Sequence, residues 1–449
     1  TRAVATAVDA AAVTAQRRGR FRWLRQLLGL ERDTVERGSA ARPEVVLTPG
    51  SVDGGGSLLL RRGEAISTPL VMAVLVVALA VLGAGTWLTL GPGRELIGGS
   101  DRVGPMRPIE AGPTRSIVVD PVDGHFATLA AAVAEAEPGD RIELYPGTHE
   151  AEVVIDKDIE IVGVGDRDEV VVQPLPLAAG EALTDRLRVL FTLQDSAATL
   201  RGITMIGSEN GSAVVVDGGA PTLEDLRIDP AGDMVTSGPS QPREALVVIN
   251  GATPTVRDSE VVSLVAVESA AAPVFENVRF QPGCMLITGE DTNPLLRDLD
   301  FIESDCPGFS VSIADGAHVD IEAGSIVSGP QNSGIRVAGS SADISGTSIR
   351  GGTEGLLVGP GASVTFQRAN AQGAEVGIRV ASGELTLIGA ALVDNAVGLQ
   401  VSGETFLEVT DSDFCNDTNF DLRDGAQVPA ESNRTCDQDT REFASVSGS

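Results

Sequence analysis

Apolar residues recur along this chain at a fixed offset: one apolar position, then others three and five residues later. The pattern reads Leu200, Ile203, Met205; Leu223, Leu226, Ile228; Phe275, Val278, Phe280; and Leu296, Leu299, Phe301. With other residues at the middle place it continues at Ile321 and Ile326, Ile344 and Ile349, Phe366 and Ala371, Leu387 and Leu392, and Val409 and Phe414. Val256 with Val261 fills the gap after Leu223. The leading positions lie 19 to 33 residues apart and mostly near 22. Short apolar strands at that period, separated by Gly-rich turns, are successive turns of a solenoid. Leucine-rich repeats share the length range, but the LxxLxLxxN signature with its Asn is missing. Counting a first turn around Ile161, the pattern predicts roughly eleven coils, a rod around 50 Å long at about 4.8 Å per stacked strand.

The residues ahead of the repeat predict mixed elements. Ile117 to Val119 is a short apolar strand, and Asp123 to Glu135 places Phe126, Leu129, Ala132 and Val133 at helical spacing before Pro138, Gly139 and Asp140 end the helix. Strands follow at Arg141 to Leu144, Glu152 to Ile155 and Ile159 to Val162. The stretches FATLAAAVAEAEPGD, RIELYPGTHEAEVVI and KDIEIVGVG resemble the opening of right-handed parallel β-helix proteins of the pectin-lyase-like superfamily. The resemblance covers about residues 116 to 424. It implies an all-β solenoid whose first helix caps one end, with the PGT turn leading into the first full coil. It does not imply an activity, because the fold carries lyases, hydrolases, esterases, sugar-binding modules and adhesins.

Before the repeat, Leu70 to Leu90 runs 21 residues without a charged side chain. As a helix it would be roughly 31 Å long, about the hydrocarbon thickness of a bilayer, and it reads as one transmembrane helix. Trp87 lies near one end, where indoles favour the membrane interface, and Arg61 and Arg62 flank the other. Residues 1–68 hold 11 Arg against 7 Asp plus Glu, a net of +4, which leaves −34 of the chain's −30 for the remainder. The positive-inside bias therefore places residues 1–68 in the cytoplasm and the acidic C-terminal part outside a plasma membrane. The expected organisation is a cytoplasmic juxtamembrane segment (1–68), the span (69–90), a Gly/Pro-rich linker (91–114), the β-helix (115–424) and a C-terminal tail (425–449). Residues 15–32 read as a basic helix on the anionic inner leaflet, as a solvated juxtamembrane helix, or as the last helix of a domain truncated at Thr1.

Composition narrows the chemistry. The chain has 52 Gly, 3% aromatic residues and a single lysine, Lys157, so its core must be stacked from small aliphatic side chains. The acidic balance, with no basic patch interleaved with aromatics beyond the span, argues against nucleic acid. All four cysteines, Cys284, Cys306, Cys415 and Cys436, follow the span, where disulfides are permitted. Stacked coils of the kind the resemblance implies set residues one coil apart at a Cα separation of about 5 Å, which suits Cys284 with Cys306 and Cys415 with Cys436.

The enzymes of this fold work with paired carboxylates and basic residues walled by aromatics, and few such parts occur here. One lysine cannot build a lysine-rich lyase site, and His125, His149 and His318 are scattered without metal-ligand spacing. Asp217, Glu224, Asp225 and Asp258 form a possible acidic face across two coils, or simply turn residues on a solvated surface. Asp411, Asp413, Asn416 and Asp417 lack any calcium-loop pattern. No catalytic residue, metal ligand or cofactor is therefore assigned. The first functional reading is a membrane-anchored extracytoplasmic module that binds carbohydrate or another cell-envelope component without catalysis. Two alternatives stay open: a polysaccharide lyase or hydrolase with an unrecognised site, and the sensor part of a receptor Ser/Thr protein kinase whose kinase domain lies upstream of Thr1.

Overall fold

The computed structural model describes residues 115–120, 124–176, 188–208, 211–229, 244–304, 308–428, 432–436 and 443–445. The apolar run 70–90, the basic stretch 15–32, both linkers and Cys306 lie outside them. Among the described residues no helix is long and apolar enough to cross a membrane.

The apolar repeat winds the chain into a parallel β-solenoid with three faces. The first face carries one unbroken inward ladder: Ile117, Ile142, Ile161, Leu200, Leu223, Val256, Phe275, Leu296, Ile321, Ile344, Phe366, Leu387 and Val409. Every leading position of the sequence repeat falls on it, in register. It has thirteen rungs instead of the expected eleven, because Ile117 and Ile142 add two strands at the start. A helix and an irregular turn separate those strands, so the three-and-five offset does not mark them. Twelve steps of about 4.8 Å give a rod roughly 58 Å long.

The residues five positions on form the second ladder, which includes Met205, Ile228, Val261, Phe280, Phe301, Ile326 and Ile349. A third ladder runs from Val153 through Phe191, Val214, Leu246, Val265 and Met285 to Phe420. Single strands bend through successive faces, as Val274–Thr288 does. Their inward side chains form one continuous apolar core.

The corner between the first two faces has a local cause that recurs in ten successive coils. The residue two places after each leading position has positive φ, from Gly202 (67°) through Asp225 (49°), Asp258 (53°), Asn277 (53°) and Asp298 (51°) to Asp411 (53°). Left-handed backbone suits Gly, Asn and Asp best, which is why these types recur at that place.

The capping helix spans Leu129–Glu135, shorter than the expected Asp123 to Glu135. The Thr128 hydroxyl accepts the Ala131 N–H and starts the helix there. The preceding segment is held by the first strand instead: Phe126 N–H donates to Val118 O and Asp120 N–H to Phe126 O. Leu129, Ala132 and Val133 face the core. The chain's one lysine completes the helix, since Lys157 Nζ donates to the carbonyls of Val133 (3.0 Å), Ala134 (3.3 Å) and Ala136 (2.8 Å). A cation there satisfies the last orphan carbonyls and opposes the negative end of the helix dipole. Beside it, buried Asp140 accepts the Glu137 N–H and bonds Arg115. The backbone hydrogen bond, and then the guanidinium, hold its carboxyl below the usual carboxylate range.

The far end is tied by a disulfide. Cys415 and Cys436 occupy equivalent places on neighbouring strands, Phe414 facing Thr435, with Cα atoms 5.0 Å apart. Cys284 is also disulfide-bonded. Its expected partner Cys306 is not described, and the register there advances 26 residues, from Met285 to Val311, not 22.

Candidate functional site

The outward positions of the first face divide into two regions. From Arg201 to Glu322 the residue after each leading position alternates in sign: Arg201, Glu224, Arg257, Glu276, Arg297, Glu322. Arg257 lies 3.0 Å from Glu224, and Arg297 lies 3.7 Å from Glu276 and 2.8 Å from Glu322. Half-exposed pairs of this kind add little stability each. A slip by one coil would set like charges against each other, so the ladder specifies register.

The four acidic residues singled out from the sequence are not gathered into one face. Asp217 ends a strand on the third face, where Asn250 Nδ2 donates to it. Glu224 belongs to the charge ladder on the first face. Asp225 and Asp258 are corner residues, the former 3.4 Å from Arg167 and the latter accepting from Asn277 Nδ2 at 2.7 Å. Of the residues weighed against calcium, Asp413 pairs with Arg434, and Asn416 is buried in a hydrogen-bonded stack with Asn395.

Beyond Glu322 the same outward row becomes neutral, with Ser345, Gln367, Ile388 and Thr410. Two further outward rows lie beside it. One runs His318, Ser341, Ser363, Glu384, Phe406, and the other Asp320, Asp343, Thr365, Thr386, Glu408. At the end of the first row Phe406 is 61% exposed, whereas six other phenylalanines among the described residues are buried in the core. It borders an open depression of about 510 Å³ lined by Ser363, Ser382, Gly383, Glu384, Glu404 and Thr405. Gly383 packs tightly on the preceding coil, where a Cβ would meet Gly359 O at 2.7 Å and Val358 Cγ1 at 2.8 Å.

At the opposite end of these rows His318, Asp320 and Asp343 converge, their nitrogen and oxygen atoms within 4.8 Å of one another. Sequence spacing hid this group, since His318 and Asp343 are a full coil apart. The signal was nonetheless present: the outward places one and three residues before each leading position, tabulated coil by coil, give both rows.

No family model and no curated protein matches the chain. Among solved structures, it is similar to the catalytic domain of a GH87 alpha-1,3-glucanase, at 12% identity over 73% of this chain and 71% of that one (TM-score 0.43). It is also similar to the A-module of the mannuronan C-5 epimerase AlgE6 of Azotobacter vinelandii, at 15% identity over 69% and 93% (TM-score 0.41). A third is pectin methylesterase PemA of Erwinia chrysanthemi, at 12% identity over 57% and 81% (TM-score 0.31). The three parallel ladders behind a short capping helix are the deciding observation for the architecture. The fold is a three-faced parallel β-helix of about thirteen turns. Within such a β-helix the outward rows of the first face make a surface that is flat, open and several coils long. It suits an extended polymer better than an enclosed small molecule.

Proposed function

We propose that this β-helix binds carbohydrate of the cell envelope on the outward first face of its last five coils, without a reaction of its own. The observation that carries the reading is Phe406, an exposed ring beside the depression, with Glu384 and Ser363 following it along one row. A sugar ring has an apolar C–H face that packs on an aromatic and hydroxyls that pair with carboxylates and hydroxyls. Stacked strands repeat every 4.8 Å or so, close to the length of one hexose along an extended glycan, so successive coils of the row face successive sugars. Pull-down of the full chain with isolated cell-wall polysaccharides tests this. Phe406→Ala is expected to weaken retention about tenfold, the equivalent of roughly 1.4 kcal/mol. Equal retention of both proteins would refute the assigned face, and release of reducing ends or unsaturated sugars would make the protein an enzyme instead.

The same proposal places residues 70–90 across the plasma membrane, with the β-helix outside, on the strength of the uncharged 21-residue run and the arginines before it. In sealed inside-out vesicles, added protease is expected to spare residues 115–424. Their digestion without detergent would reverse the topology.

A further inference from the structure

We propose that His318, Asp320 and Asp343 form a site for a first-row transition-metal dication, of which zinc is the type. Two independent features lead there. The first is a break in the charge rule. Wherever two charged residues of the described strands stand directly opposite each other, they have opposite signs: Arg141 with Glu160, Arg227 with Glu260, Glu260 with Arg279, Arg279 with Asp300, Asp413 with Arg434, and every step from Arg201 to Glu322. Asp320 opposite Asp343 is the sole exception among them. Like charges facing each other across a strand pair are destabilising, so this rung lacks a positive charge that its counterparts have.

The second feature is the histidine. His318 Nδ1 lies 2.8 Å from Ser341 Oγ, and its Nε2 is 3.6 Å from Asp320 Oδ1 and 3.9 Å from Asp343 Oδ2. The latter distances are too long for hydrogen bonds. They are close to the roughly 3.4 Å that separates ligand atoms on a tetrahedral ion with bonds of about 2.0–2.2 Å. With Nδ1–H donating to Ser341, the Nε2 lone pair faces the two carboxylates, the arrangement in which a hydrogen-bonded partner orients a metal-binding imidazole.

The donor set selects the ion. One imidazole with two carboxylates suits zinc or its neighbours, whereas calcium and magnesium prefer all-oxygen sets. His318, Asp320 and Asp343 are all partly exposed, so three protein ligands leave coordination positions open to water. The other two histidines do not compete: His125 Nδ1 accepts the Val118 N–H, and His149 is buried with Nε2 2.7 Å from Tyr145 O.

Calorimetric titration of zinc, manganese, calcium and magnesium chlorides into the full chain in detergent, after chelator treatment, tests the assignment. One zinc per chain is expected, bound at least tenfold more tightly than calcium. Asp343→Asn and His318→Ala are each expected to weaken zinc binding at least tenfold, and Arg350→Ala, on the second face, to leave it unchanged. In chelator the melting temperature of Asp343→Asn is expected to equal or exceed that of the parent, because the like-charge contact is gone. Added zinc is expected to raise the parent's melting temperature and not the variant's. Absence of zinc binding, tighter binding of calcium, or undiminished zinc binding by both site variants would each overturn the proposal.

Discussion

Replacing Phe280 by alanine is expected to cost about 3–5 kcal/mol, the range for removing a fully buried phenylalanine. Phe280 is 0% exposed and stacks on Phe301 of the next coil, with ring centroids 4.2 Å apart and planes within 5°. The neighbours above and below, Val261 and Phe301, are fixed by the backbone ladder. They cannot move in to fill the space, so most of the cavity persists. A solenoid couples each coil only to its neighbours, so the defect weakens the middle of the rod and invites the two halves to unfold separately. Urea unfolding followed by circular dichroism is expected to show an earlier and broader transition. A loss below about 1 kcal/mol would mean that the coils relax far more than a fixed ladder allows.

Asn395→Leu is expected to be comparably damaging, at about 3–5 kcal/mol, for a polar reason instead of an apolar one. Asn395 is 1% exposed. Its Oδ1 accepts the Ala374 N–H at 2.9 Å, and its Nδ2 donates to Ala371 O at 3.0 Å and to Asn416 Oδ1 at 2.8 Å. Asn416 repeats the motif one coil on, donating to Leu392 O, and Asn433 donates to Val409 O. Leucine has nearly the same bulk but leaves the Ala374 N–H without its acceptor and removes the donor shared by Ala371 and Asn416. Each such buried group costs roughly 1–3 kcal/mol when unmade. Hydrogen exchange at the Ala374 amide is the local readout, and it is expected to accelerate along with the loss of global stability. Unchanged protection at Ala374 would show that this stack does not hold together the turn between the second and third faces.

The two substitutions probe what makes the rod a rod, and the candidate site depends on that rigidity. His318, Asp320 and Asp343 come from two coils, and the row ending at Phe406 draws on five. Each row keeps its spacing only while the inward ladders and the corner hydrogen bonds hold the register. Rigid supporting elements are what allow side chains from separate coils to act on one ligand.

The solenoid itself was legible in the amino-acid order because its cause is local. Strands at a near-constant period, an apolar residue at each leading place and, in eight coils of ten, Gly, Asn or Asp two places later are all set within one coil, so a reader of one coil can recognise the next. The pairing of Cys415 with Cys436 was legible for the same reason: a spacing of 21 is one coil at that end of the rod. Other features depended on how coils of unequal length align. Two opening strands lacked the repeat's signature, and the step from Met285 to Val311 is longer than the spacing of Cys284 and Cys306 suggested. Glu224 read as part of an acidic face until its arginine neighbours, a coil away on either side, placed it in an alternating ladder. Lys157 read only as a residue too solitary for catalysis, and its task of closing a helix more than twenty residues earlier is a tertiary contact. The amino-acid order by itself thus determined the wound strand, its inward side and its corners, since these follow from side-chain alternation and backbone preference within some twenty residues. Which outward residues stand together was decided only by the tertiary structure, because that depends on the register between coils, and a difference of a few residues in one turn changes every neighbour.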